Sequence, residues 1–324
     1  MVTRVIREGQ DRGREADDPS QIPAAGWKDI VSRVWKSFAD DRITVIAGGI
    51  AFYGILALVP AIASFVALYG YFLDPASLSY QLQAFSHVLP EGALNVIGDE
   101  VKQAAGRGWQ GLIEFLGSLS VAIWSANAGV KSTLDALNMV YQENERRGWI
   151  RLNAVSLAFT AAAFVFLLLV LAAMILFPLA AAHLKVSSAT EWVVSAARWP
   201  ALLAIVGLAL AVLYRFGPDR ATPRWNWVSW GSSFASTAWL VTSVLFSYYA
   251  TNFSKLNSSY GSLAAVAGFM VWIWLSQIVI LVGAEINAEM EHQTARDTTI
   301  GNDEQIGNRR AKMADTIGEA IDTD

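Results

Sequence analysis

Three histidines, His87, His183 and His292, stand far apart, and no pair has the His-x-x-x-His spacing that turns two imidazoles toward one metal on a helix. Cysteine is absent, which removes thiolate ligands and disulfides. No glycine-rich segment ends in Gly-Lys-Ser or Gly-Lys-Thr, so a nucleotide phosphate has no loop to cradle it. The carboxylates gather in the two tails instead of forming a pair in a pocket. A ribonuclease would need metal-binding carboxylates or histidines and a basic track for RNA. The sequence offers neither, and the expectation is a chain that is not an enzyme, needs no cofactor or metal and binds no nucleic acid.

The side chains that remain informative are polar residues inside apolar stretches. Ser229, Ser232, Ser233, Ser236, Ser243 and Ser247 recur at steps that place them on one helical stripe. Such a stripe can line a groove for a headgroup, or it can let helices approach closely with each hydroxyl bonded to its own helix. Ala264 and Gly268, four apart, suit the packing role. Asn127 and Gln277 are amides in apolar surroundings, which either bond another helix or face a wet cavity. Glu285 and Glu289 lie one turn apart around Asn287, where a carboxylate can pair with Arg215 or Arg220, relay a proton or simply emerge into water. Glu114 is read as solvated by headgroups, and Arg198, just before Trp199, either contacts a lipid phosphate or snorkels.

These residues sit in a chain of 324 residues that is 54% hydrophobic and only 16% charged. A soluble domain carries about a quarter charged residues. A hydrocarbon core of about 30 Å needs about 20 apolar residues in a helix. Six segments have that length: about 43–72, 111–129, 152–180, 199–216, 228–249 and 262–284. The first is long enough to tilt or to kink at Pro60, and nothing before it has the shape of a cleaved secretory signal. The fold class predicted is an all-α, polytopic membrane helical bundle of six transmembrane helices plus interfacial amphipathic helices. Lys and Arg number 8 in the N-terminal region, 4 in 130–151, 3 in 215–227 and 4 in the C-terminal tail, against 2, 2 and 1 in the alternate connections. Basic residues are retained in the cytoplasm, so both termini are placed there. Tyr and Trp at the span ends, among them Tyr69, Trp149, Tyr214, Trp225 and Tyr249, suit the headgroup zone.

Residues 27–42 space Trp27, Ile30, Val31, Val34, Trp35 and Phe38 as one helical face among Lys28, Arg33 and Lys36. That face either rests on the anionic leaflet or packs on the bundle. Further interfacial helices are expected at 74–110, through Leu94, Ile97 and Val101, and at 131–141. Residues 1–26 and 291–324 are polar and without period, and are expected to be disordered, flanking a membrane domain over 27–290.

Several of these segments resemble the YihY/BrkB family of bacterial inner-membrane proteins: Ala47 to Pro60, Trp124 to Lys131 with Tyr141, Glu145 to Gly148, Arg198-Trp199-Pro200, Leu213 to Asp219, Asn252-Phe253, Tyr260-Gly261 and Gly283 to Asn287. The resemblance runs in order over about 30–290 and implies six spans and an envelope role. Some members of that family bear a ribonuclease label and others a virulence-factor label, and it supplies no catalytic residue. It favours an internal pair between Glu285 and Arg215. The function expected is transport or handling of a lipid or other amphiphile in the bacterial inner membrane. The alternative is a scaffold that docks envelope machinery; a ribonuclease comes last. Membrane lipids are the expected partners, with an envelope protein or a second copy of the chain beside them.

Overall fold

The computed structural model describes residues 10–72, 109–183, 188–254 and 261–320. Among the described residues there are seven α-helices and no strand. They are α1 (Ala24–Asp40), α2 (Ile43–Phe72), α3 (Trp109–Val140), α4 (Trp149–His183), α5 (Ser188–Phe216), α6 (Trp225–Ser254) and α7 (Gly261–Glu291). Four stretches are long and apolar enough to cross a bilayer: Ile43–Ser64, Trp109–Val140, Trp149–Phe166 and Val266–Glu291. The described apolar part of α5, Pro200–Phe216, is shorter, and the serines of α6 dilute its hydropathy. The helix is the form that closes every backbone hydrogen bond within its own segment, as hydrocarbon demands. The large side chains confirm the solvent. Val45, Phe52 and Val59 on α2, Trp124 on α3, Val244 and Leu245 on α6 and Val271 on α7 are all exposed. Apolar surface on that scale faces lipid in a chain of this kind.

Helices outrun the hydropathy that marks them. Residues 131–141, expected as a separate interfacial helix, continue α3 without a break to Val140. That helix ends in a Schellman cap, in which Glu143 N–H donates to the Asn138 carbonyl at 2.7 Å and Gln142 N–H to Met139 at 2.9 Å. Gln142 takes the left-handed conformation this cap needs, with φ 55°. Between α1 and α2 the same device is Arg42, at φ 50°, which ends one helix and starts the next. The expected interfacial helices of 74–110 lie outside the described residues.

The chain separates into two compact units. The first comprises Met1–Ala47, Lys131–Ser243 and Leu275–Asp324; the second comprises Gly48–Val130 and Val244–Trp274. In the second, helices meet over small residues: a Cβ on Gly54 would lie 2.8 Å from Ile273, and one on Gly129 would lie 3.4 Å from Tyr53. Gly268 has ordinary room beside Phe246, and Ala264 lies outside the residues whose side chains are described.

Of the segments expected to be disordered, 1–26 and 291–324, the structure describes residues 10–26 and 291–320, and these pack within the first unit. Residues 292–320 hold almost no regular structure, yet Ala311, Met313 and Ala314 are buried. Arginines organise them by donating to backbone carbonyls. Arg309 reaches the carbonyls of Ala295, Arg296, Glu304 and Ala314, and Arg14 reaches Gln293 and Gly318. Burial, aided by nearby Arg33, lowers Arg14 to a pKa of about 10, still charged at neutral pH. Composition missed this because it counts apolar residues, whereas here the chain is held by charge-assisted hydrogen bonds.

Asp297 gives the tail a pH response. Burial alone would raise its pKa, but N–H donors of Glu304 and Thr299, the Thr299 hydroxyl and the charge of Arg309 hold it below the usual carboxylate range. A depressed folded value contributes stability above the unfolded pKa of about 3.9, and that contribution is lost as pH falls through the folded value. Relative to the intrinsic rate at each pH, amide exchange over residues 297–305 is expected to stay slow down to about pH 4 and to accelerate below it. In Asp297→Asn it should be faster already at pH 7.

Candidate functional site

The last turns of α7 carry the polar residues that the sequence singles out, and the structure builds a site around them. Gly283 and Gly231 bring α7 and α6 together so closely that a Cβ on Gly231 would overlap the Gly283 carbonyl oxygen. Asn287 uses this approach. Its Oδ1 accepts from Gly231 N–H at 2.8 Å and its Nδ2 donates to the Val228 carbonyl at 3.3 Å. Tyr214 of α5 closes the third side by donating to the Ile280 carbonyl at 2.7 Å. Asn287 therefore ties α7 to the first two turns of α6 through one backbone N–H and one backbone carbonyl.

Glu285 is buried, and the carboxyl it meets is Asp41, just beyond α1. Asp41 is held above the usual carboxylate range, first by burial, with Asp40 and Glu289 adding repulsion and the hydrogen bond with Glu285 opposing them. The favoured pair of Glu285 with Arg215 does not form, because that arginine points elsewhere. Its guanidinium lies 4.0 Å from the Trp225 ring centroid and 5.3 Å from that of Phe216. The arginines that do neutralise α7 are two others. Arg33 of α1 binds Glu289 through Nε and Gln293 through Nη2 at 2.7 Å. Arg220 binds Glu291 through two bonds of 2.8 Å, with the guanidinium 3.9 Å above the Tyr141 ring. Thr298 donates to the same carboxylate.

Of the remaining residues, Ser232 and Ser236 are buried, and their hydroxyls donate to Ser229 and Ser233 carbonyls of their own helix. Ser229 and Ser233 do likewise, which is the arrangement of a packing seam. Ser243 and Asn127 each have a partner within the chain. Gln277 Oε1 and Glu285 Oε1 are buried without one. Arg198 falls in α5, but its side chain lies outside the described residues. Among the described residues no three His, Asp or Glu side chains converge as a metal site.

Two short motifs far apart in the chain also meet. Arg147 chelates Glu145 and donates to the Gly217 carbonyl. Asn138 donates to Glu145 and accepts from Asp219 N–H. Sequence reasoning missed Arg33 and Asp41 as parts of the site, and it named Arg220 as a possible partner for Glu285 or Glu289 where the structure pairs it with Glu291. For Arg33 a signal existed, since it stands three residues from Ile30 on the buried face of an amphipathic helix, where a solvated cation has no place.

Helices faced with exposed apolar side chains and ending in a buried ionic network define a polytopic helical membrane protein. The model of one family, described as "Virulence factor BrkB", matches residues 34–306, and the chain belongs to that family. Among curated relatives, the "Putative ribonuclease-like protein YfkH" of Bacillus subtilis (strain 168) is 28% identical over 74% of this chain and 86% of its own length. The "UPF0761 membrane protein NMB0524" of Neisseria meningitidis serogroup B is 27% identical over 80% of this chain, which spans only 62% of that relative. The "UPF0761 membrane protein PSHAa0171" of Pseudoalteromonas translucida is 26% identical, over 80% and 85%. No solved structure matches the chain significantly.

Proposed function

We propose that this protein moves or handles a lipid or other amphiphile, with six spans in the bacterial inner membrane and both termini in the cytoplasm. The orientation is supported by the basic residues, 19 of 24 of which fall in the termini and the connections expected on their side. The function rests on one observation. Within α7, Gln277 Oε1 is buried without a protein partner, and about two turns on the Glu285 carboxyl, hydrogen-bonded to Asp41, keeps its Oε1 buried without one. An unsatisfied oxygen in hydrocarbon is costly, and an amide or carboxyl that does not spend all its oxygens on a neighbouring helix is free to meet a polar group passing along the bundle. A scaffold, the alternative, has no need of them.

The test is reconstitution in liposomes with a headgroup-labelled phospholipid in one leaflet. The protein should transfer the label between leaflets, and Gln277→Leu should slow transfer at least about tenfold. If the purified protein transfers no phospholipid, the reading fails. The printed name of the Bacillus relative makes a metal-titrated RNA cleavage assay on the same sample worthwhile, and no cleavage is expected.

A further inference from the structure

Eight described arginines of the unit that holds Arg215 have an ion-pair or carbonyl partner. Arg12 pairs with Asp29, Arg33 with Glu289, Arg147 with Glu145, Arg220 with Glu291, Arg224 with Asp303 and Arg296 with Asp17. Arg14 and Arg309 are satisfied by backbone carbonyls. Arg215 is 8% exposed, and its Nε and Nη1 are covered without any hydrogen-bond partner. What covers it is aromatic: Trp225 at 4.0 Å and Phe216 at 5.3 Å, with the two rings edge to face. Both rings are themselves about half exposed, at 47% and 48%. The guanidinium is thus fixed in orientation and retains its full charge for a ligand, between rings of the kind that favour the headgroup level. Planar guanidinium matched to tetrahedral oxyanion is the usual basis of phosphate recognition.

We propose that Arg215, held by Trp225 and Phe216, is a seat for a phosphate group. The source that fits is the phosphodiester of an anionic phospholipid, whose acyl chains would lie along the exposed rings while its phosphate meets Nη2, the guanidinium nitrogen that is not among the covered ones. This rests on the reading above that the protein meets lipid as a ligand.

The test uses the full chain in neutral detergent and follows thermal unfolding and native mass spectra. The probes are phosphatidylglycerol, diacylglycerol with the same chains, and inorganic phosphate. Phosphatidylglycerol should raise the melting temperature of the wild type, and diacylglycerol should not. Arg215→Gln and Trp225→Leu should each bind phosphatidylglycerol about tenfold more weakly, as expected for loss of one charge-assisted contact. Arg215→Lys, which keeps the charge and the fold but loses the planar fork, should bind between the two. If inorganic phosphate alone reproduces an Arg215-dependent shift, the seat stands and its ligand is free phosphate. Equal stabilisation of wild type and Arg215→Gln by phosphatidylglycerol overturns the proposal, as does an equal response to diacylglycerol. Should Arg215→Gln not fold, Arg215→Lys with undiminished binding overturns it as well. An intact Arg215-dependent shift in a protein that moves no lipid in liposomes would remove the transport reading alone.

Discussion

Gly231→Ala should destabilise the protein by about 3 kcal/mol, at the upper end for overpacking a core. The added Cβ would overlap the Gly283 carbonyl oxygen and lie 2.5 Å from the Asn287 amide. A clash with a flexible side-chain tip could relax by a rotamer change. This one is with backbone, so α6 and α7 must separate, and separation breaks both Asn287 bonds as well. Gly283→Ala should behave in the same way, since its Cβ would press on Ala235, the Tyr214 hydroxyl and the Gly231 carbonyl. Gly207→Ala is the control. Its Cβ would meet the Ser236 hydroxyl at 3.4 Å, an ordinary contact, and the loss should stay under about 1 kcal/mol. Thermal unfolding of the three variants in one detergent decides the matter, and equal stabilities for Gly231→Ala and Gly207→Ala would contradict the seam.

A comparable effect is expected where the α5–α6 connection meets the end of α7. Arg220 and Glu291 have side chains 1% and 0% exposed. Burial alone would lower the pKa of Arg220, but the charge of Glu291, the Tyr141 ring and the paired hydrogen bonds more than reverse this and keep the guanidinium charged. Glu291→Gln preserves shape but strands that cation, and breaking a buried pair in this way costs about 3–5 kcal/mol. Removing both charges together is different. Arg220→Met with Glu291→Leu should recover most of the loss, because buried pairs often contribute little against well-packed apolar substitutes. The double-mutant cycle, read by denaturant unfolding, should therefore show strong coupling. Additive single losses would mean that the two groups do not depend on each other.

The parts of the fold that face hydrocarbon could be read from the chain, and those that face protein could not. The first span, read as about 43–72, is α2 at Ile43–Phe72, because an unbroken apolar run is what hydrocarbon demands and what hydropathy reports directly. The second, read as 111–129, is α3 at Trp109–Val140. Its last turns pack Leu134, Leu137 and Val140 against protein, and a hydropathy window averages these with Lys131 and Asp135. The site shows the same division. Asn287 and Glu285 stood out because polar residues are anomalous in an apolar run. Arg220 and Asp41 lie in polar connections, where nothing in composition separates a buried charge from a solvated one. The residues left Arg215 and Arg220 both open as partners for Glu285 and the resemblance favoured Arg215; in the structure Arg215 stacks on Trp225 and Glu285 meets Asp41.

The ordered C-terminal segment has a practical bearing on how orientation can be measured. Reporter enzymes are commonly fused at a helix end, and Glu291 is the natural junction after the last span. A fusion there would delete Thr298 and Asp297, strip Arg14 of its Gly318 carbonyl acceptor and uncover the carboxylate that Arg220 holds. Such a hybrid would report on a damaged molecule, whereas attaching the reporter beyond residue 320 leaves every one of those ties in place.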